Sequence, residues 1–245
     1  MAHWLDETFY AFDRKIFSWM HALQQKAGGF MNGFCKFISF FGEAGWAFIV
    51  LALVFLLFRR TRRMGVGMGF ALVLGAIVTN ILLKNIVDRA RPFTRSEEFS
   101  VWWHAAGQNT EDSASFPSGH TTAAFAAMVA LFLTGDKRYS WTGLIFACMM
   151  AFSRVYLIVH YPTDVLAGVV VGTLAGVGGM LLCKLVYKKA GGKCKAALEN
   201  GSIVSVCRKL FGKKTESAQN TNTSVVTQNA PPDDERTDES TPPQE

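Results

Sequence analysis

The chain has 245 residues, half of them hydrophobic, and its 25 Lys and Arg against 19 Asp and Glu leave a net charge of +6. That length accommodates one sizeable domain with extensions. The basic residues flank apolar runs, which excludes nucleic acid as the expected partner and favours anionic lipid.

The mean hydropathy of +0.19 is modest because a polar C-terminal stretch dilutes it, whereas residues 44–187 are strongly apolar. Five cysteines, Cys35, Cys148, Cys183, Cys194 and Cys207, show no metal-like spacing and are read as free thiols rather than a disulfide framework. The N-terminus lacks a basic start followed by an apolar run, so no cleavable leader is expected and insertion falls to internal spans.

Residues 5–25 carry Phe9, Phe12, Ile16, Met20 and Leu23 at helical spacing. After Gly28 and Gly29, the residues Phe30, Phe34, Phe37, Ile38 and Phe41 repeat the pattern. Neither segment is apolar all round, so two helices are expected, lying in the interface or covering the side of a bundle, or with one dipping in as an extra span. Residues 45–58 form a short apolar run closed by Arg59, Arg60, Arg62 and Arg63, and residues 64–83 form a span of about the length that crosses hydrocarbon. A polar loop over 84–117 precedes spans at 119–133, 141–159 and 165–183, and Lys184, Lys188, Lys189, Lys193 and Lys195 follow. The expected fold is an all-α integral membrane bundle of about five or six transmembrane helices with N-terminal amphipathic helices. Its parts are residues 1–43, amphipathic; 44–187, the membrane-embedded catalytic bundle; and 188–245, a basic juxtamembrane stretch and tail. The tail holds one weak amphipathic stretch at 203–211 and is otherwise expected to be disordered.

With Arg59 to Arg63 inside, the chain exits at Lys84, re-enters after His120, turns inside at Lys137 and Arg138, exits at His160 and returns to the lysine cluster. Every inside segment is then basic. The expectation is a multi-pass protein of the cell membrane, with Lys84, His120 and His160 toward the extracytoplasmic face and the tail in the cytoplasm. Four basic residues in the outer loop, Lys84, Arg89, Arg91 and Arg95, weaken that asymmetry.

Three clusters share the outer face. Lys84 and Arg91 are seven apart and would stack on one helical face that Pro92 ends, with Asp88 between them able to pair with both. Ser118 suits an N-cap, and Gly119 lets a ligand approach backbone N–H groups at a helix start, where His120 would touch the same anion. If residues 153–159 are the last two turns of a helix, Ser153 and His160 return to nearly one face, with Arg154 nearby to bind an anion. Asp164, four residues on, would hold one ring nitrogen of His160 and leave the other lone pair free to attack.

Lys84 with six residues to Arg91 and Pro92, then Pro117, Ser118, Gly119 and His120, then Ser153 and Arg154 with five residues to His160 and three more to Asp164, resemble the complete three-part signature of the type 2 phosphatidic acid phosphatase superfamily. Membrane members of that family are helical bundles that dephosphorylate lipid phosphates without a metal. The resemblance implies a lipid phosphate substrate, no cofactor and no metal. It implies catalytic roles for His160 as nucleophile, Asp164 as its support and His120 as acid and base, with Lys84, Arg91, Ser118, Gly119 and Arg154 holding phosphate. Undecaprenyl diphosphate, phosphatidylglycerophosphate and phosphatidic acid all remain as substrates. A protein that binds or moves an anionic lipid without cleaving it, and a lipid phosphotransferase, are the competing readings; protein partners are unknown.

Several other residues have plainer readings. Trp102 and Trp103 suit an interfacial anchor better than a substrate lid. Glu97, Glu98, Glu111 and Asp112 suit a solvated acidic loop. Gly168, Gly172 and Gly176, spaced by four, suit close helix packing.

Overall fold

The computed structural model describes residues 1–107 and 112–189; the tail expected beyond them, its stretch at 203–211, and Cys194 and Cys207 lie outside the described residues. Among those residues every regular element is helical. α1 (Ala2–Gly42) and α2 (Trp46–Leu57) are followed by α3 (Arg62–Ala76), which runs on through a π-helical turn (Ile77–Leu83) into α4 (Lys84–Val87). The expected outer loop contains α5 (Pro92–Arg95) and α6 (Glu97–Ala105), so it is not a plain acidic loop. α7 (Gly119–Thr134), α8 (Lys137–Tyr156) and α9 (Pro162–Lys189) complete the bundle.

The five apolar helices fall where the hydropathy placed them. α7, α9 and α3 form the centre, with α8 and α2 on either flank. Among the described residues three helical stretches, Ala2–Leu57, Arg62–Arg95 and Pro162–Lys189, are long and apolar enough to cross a membrane. The core is rich in small side chains: Ala71, Ala124, Ala126, Ala127, Ala130 and Ala147 are wholly buried. Leu53, Ile81, Val170, Leu174 and Leu181 face outward, each more than half exposed, as lipid-facing side chains do.

The close packing expected of the α9 glycines is realised against α7. A Cβ on Gly172 would lie 2.7 Å from the Thr122 carbonyl oxygen and 2.7 Å from Phe125 Cβ, and one on Gly176 2.7 Å from Val129 Cβ.

The N-terminal region departs from expectation. α1 is one helix of 41 residues that runs through Gly28 and Gly29, because its contacts with α8 and α6 support it across the glycine pair. Its buried residues are Asp13, Phe17, Gln24, Cys35, Ile38, Ser39 and Gly42, so polar side chains share the inward stripe with Phe17 and Ile38. Phe12, Trp19, Phe30 and Phe37 are exposed. The polar side chains face inward because they meet polar groups of the bundle: Gln24 donates to the Tyr156 carbonyl (2.7 Å) and Asn32 accepts from the Tyr156 hydroxyl (2.8 Å).

Candidate active site

α8 stops at Tyr156, with Leu157 as its C-cap, and does not continue to Val159. Ile158 adopts a φ of 56°, a left-handed conformation that is costly for a β-branched residue. Burial of Leu157, Ile158 and Val159, all at 0% exposure, offsets that cost. Pro162 opens α9 as its first residue. His160 therefore sits in a tight reversal between two helices and not on the same helical face as Ser153. Ser153 instead donates to the Met150 carbonyl (2.7 Å) and lies 3.1 Å from the Ser39 hydroxyl. Arg154 is fully buried on the last turn of α8.

His160 is 1% exposed. Its Nδ1 lies 2.7 Å from the Ser115 carbonyl oxygen, which only accepts, so Nδ1 carries the proton and Nε2 of the neutral ring carries the lone pair. Arg91 Nη1 stands 3.1 Å from that Nε2 and donates to the Val159 carbonyl at 2.9 Å. The nearest approach of Asp164 to His160 is 3.9 Å, between Oδ2 and Nδ1, longer than the direct support expected. Ser115 supplies the link: its carbonyl accepts the hydrogen bond from His160 Nδ1 and its hydroxyl donates to Asp164 Oδ2 at 2.5 Å. The Tyr161 N–H donates to the same oxygen at 3.1 Å, as an N3 carboxylate does in a capping box.

Lys84 and Arg91 meet by a different route from the shared helical face. α4 ends at Val87, Asp88 turns left-handed with φ 44°, and Pro92 starts a helix where it was expected to end one. The turn brings both cations onto Ser113. Lys84 Nζ donates to its hydroxyl (2.9 Å), Arg91 Nη2 to the same oxygen (3.2 Å) and Arg91 Nε to its carbonyl (2.8 Å). Gly119 lies under the lysine: a Cβ there would be 4.0 Å from Lys84 Nζ.

Ser118 caps α7 from a fully buried position, its Oγ accepting from the Thr121 N–H (3.5 Å) and hydroxyl (3.0 Å). Its own N–H donates to the Asp164 carbonyl at 3.1 Å, which ties the start of α7 to the start of α9. His120 lines a cavity of about 460 Å³ together with Lys84, Ser113, Gly119, Asn80 and Glu43. The end of α1 closes against this ring, since a Cβ on Gly42 would come within 2.7 Å of His120 Cδ2. A chain of contacts thus runs from His160 through Arg91 and Ser113 to Lys84 and the cavity that holds His120.

Behind Asp164 lies a network that sequence reasoning missed. Arg89, 1% exposed, donates to Asp164 Oδ1 (2.5 Å), Thr163 Oγ1 (2.8 Å), Asp6 Oδ1 (2.7 Å) and Asp13 Oδ2 (3.1 Å). Its guanidinium covers the Tyr161 ring at 3.7 Å. Asp6 and Asp13 are seven apart on α1 and so share a face; that spacing was the available signal. Trp102 and Trp103, expected at an interface, are half-buried on α6. They pack over this region, Trp102 stacked on His21 (5.1 Å) and Trp103 on Phe93 (4.5 Å).

Residues 64–188 match the family model of the PAP2 superfamily. The chain belongs to the PAP2 superfamily. It is 33% identical to an undecaprenyl-diphosphatase of Sulfolobus acidocaldarius over 58% of this chain and 66% of that relative. With the undecaprenyl-diphosphatase BcrC of Bacillus subtilis the identity is 30%, over 66% of this chain and 79% of the relative. Two solved structures share the fold at a TM-score of 0.50 each. LpxE of Aquifex aeolicus is 21% identical and covers 67% of this chain and 93% of its own. A transmembrane PAP2-type phosphatidylglycerolphosphate phosphatase of Bacillus subtilis is 22% identical and covers 74% and 95%. The relatives are phosphatases by name, and this PAP2 chain is an enzyme of that phosphoric monoester hydrolase class. The family match starts at residue 64, so α1 and its two aspartates lie outside it.

Proposed function

We propose that this PAP2 protein is a metal-independent membrane lipid phosphatase that works through a phosphohistidine at His160, with a polyprenyl diphosphate as its substrate. The observation that carries the reading is the buried imidazole whose Nδ1 proton is committed to Ser115 and whose Nε2 lone pair meets Arg91. A nitrogen poised in that way is a nucleophile once an anion draws the guanidinium onto itself. The two relatives named as undecaprenyl-diphosphatases support the substrate class; phosphatidylglycerophosphate and phosphatidic acid also present a terminal phosphoryl group, joined through an ester oxygen instead of an anhydride oxygen.

In the first step His160 Nε2 attacks the terminal phosphorus in line, the P–O bond to the leaving group breaks, and His120 delivers a proton to the departing oxygen. The imidazole becomes cationic, and the Ser115–Asp164 pair stabilises it from the Nδ1 side. In the second step His120 takes a proton from water, the water oxygen bonds to phosphorus, the P–N bond breaks and inorganic phosphate leaves. Lys84 and Arg91, which both donate to Ser113, transfer those bonds to the non-bridging oxygens, where charge builds in a loose transition state. Arg154 adds fixed positive charge, Gly119 gives the phosphate access to the start of α7, and Ser118 fixes that start by capping it. The site opens toward the extracytoplasmic leaflet, a reading that the clustering of arginine and lysine at the opposite helix ends supports.

The test is phosphate release by the detergent-purified protein in excess chelator, from undecaprenyl diphosphate, phosphatidylglycerophosphate and phosphatidic acid side by side. Chelator-resistant release, greatest from the diphosphate and abolished by His160→Ala, is expected. Binding of all three lipids without release, by a folded protein, would replace the phosphatase with a lipid-binding role.

A further inference from the structure

Arg89 alone would defeat the support that Asp164 gives to His160. It sits 2.5 Å from Asp164 Oδ1, both side chains being buried, and a paired cation cancels the carboxylate whose negative charge the imidazolium needs. The N-terminal helix reverses this. Asp13, itself 1% exposed, approaches Arg89 Nη2 at 3.1 Å, and Asp6 approaches Nε at 2.7 Å. Asp6 is shared with Arg95 at the rim of the network. Burial pushes the Tyr161 phenol above its ordinary range, so that ring adds no charge. Two cations, Arg89 and Arg95, then stand among three carboxylates, Asp6, Asp13 and Asp164, and one negative charge remains to face His160.

Asp13 also fixes position. Its Oδ1 accepts from the Thr163 N–H (3.0 Å) and its Oδ2 from the Thr163 hydroxyl (2.9 Å), gripping the first turn of α9 immediately before Asp164. We propose that Asp13 and Arg89 are positioning residues of the reaction, through which the N-terminal helix holds Asp164 in place and restores the negative charge that stabilises a cationic His160. This rests on the phosphohistidine reading above, and it assigns a role to a helix that lies outside the family match.

The two side chains carry opposite charges, so their replacement has opposite electrostatic consequences. Other charged or titratable groups around the pair are Arg91 from the α4–α5 turn, Arg154 from the end of α8, and Lys84 and His120 beyond Ser113; all are unchanged in the variants. In Asp13→Asn the network loses its net negative charge, so a proton on His160 is held less tightly and the acid limb of the pH–rate profile moves to lower pH. In Arg89→Gln the network gains negative charge and the limb moves to higher pH. Both variants lose kcat by about 100-fold, the scale of a small misplacement of a reacting group, with KM nearly unchanged because neither touches substrate.

The experiment measures kcat, KM and their pH profiles for phosphate release from undecaprenyl diphosphate by the full chain and both variants, with unfolding temperatures alongside. A titration of His160 by histidine-selective nitrogen NMR on the same samples needs no turnover. Opposed shifts in the titration and the profiles are expected. Should the wild type release no phosphate, the phosphatase reading fails, while opposed NMR shifts still uphold the coupling of α1 to His160. Wild-type kcat and unshifted profiles in folded variants would overturn the proposal, as would shifts of one sign that merely follow lowered unfolding temperatures. If Asp13→Asn does not fold, Asp6→Asn removes a charge of the same sign from a more exposed position and is read in its place.

Discussion

Arg91 serves four acceptors with one side chain: the Ser113 carbonyl and hydroxyl, the Val159 carbonyl and His160 Nε2. A lysine carries the same charge without the planar fork. Arg91→Lys is therefore expected to lower kcat/KM by about 100-fold or more, as loss of a donor to developing oxyanion charge does; steady-state kinetics at one pH will show it. Ser115→Ala is a milder change, because the carbonyl that holds His160 Nδ1 remains, while the hydroxyl bond to Asp164 and a longer 3.4 Å contact of the hydroxyl with Nδ1 are lost. Its kcat is expected to fall by less than that of His160→Ala while KM stays near wild type. The residue types at Lys84, Arg91, His120, His160 and Asp164 were legible as a spaced signature. Ser113 and Ser115 were not, because a serine four or six residues before a helix start carries no periodic or charge signal, and only the fold brings it against an arginine or an imidazole.

At the scale of elements, punctuation residues proved harder to read than apolar periodicity. Pro92 was taken as ending a helix, yet it begins one, as Pro162 does. The two roles look alike in sequence, since a proline at the first helical position sacrifices no hydrogen bond. The early stop of α8 depends on Ile158 at positive φ, a conformation that tertiary burial imposes and local propensity opposes. The glycine stripe of α9 was legible because small residues at a spacing of four have one dominant use between apolar helices. Gly172→Ala places a methyl 2.7 Å from both the Thr122 carbonyl oxygen and Phe125 Cβ. It is expected to destabilise the bundle by about 1–3 kcal/mol, read as a lower unfolding temperature in detergent, with activity largely kept at temperatures where the variant is folded.

At the scale of the whole molecule, the bundle follows from apolar segments at the right lengths, and its sidedness rests on where arginine and lysine cluster. The sidedness predicts that a cysteine at Glu97 on α6, exposed beside the active-site loop, reacts with a membrane-impermeant maleimide in intact cells. A cysteine at Arg60 reacts only after permeabilisation. The reverse pattern would turn the site toward the cytoplasm. What the sequence concealed at this scale is that α1 belongs to the site: its aspartates look like an ordinary solvated face until the fold places Arg89 against them.

The proposed mechanism passes through a covalent bond between His160 and phosphorus, and the most direct measurement is to look for it. The full-length protein is mixed with undecaprenyl diphosphate labelled in the terminal phosphate and quenched in alkali, where phosphohistidine survives. Its peptides are then read by mass spectrometry. A labelled phosphoryl group on His160, building up when His120→Ala slows its hydrolysis and missing from His160→Ala, is the predicted result. Sustained phosphate release with no adduct on His160 would contradict the account.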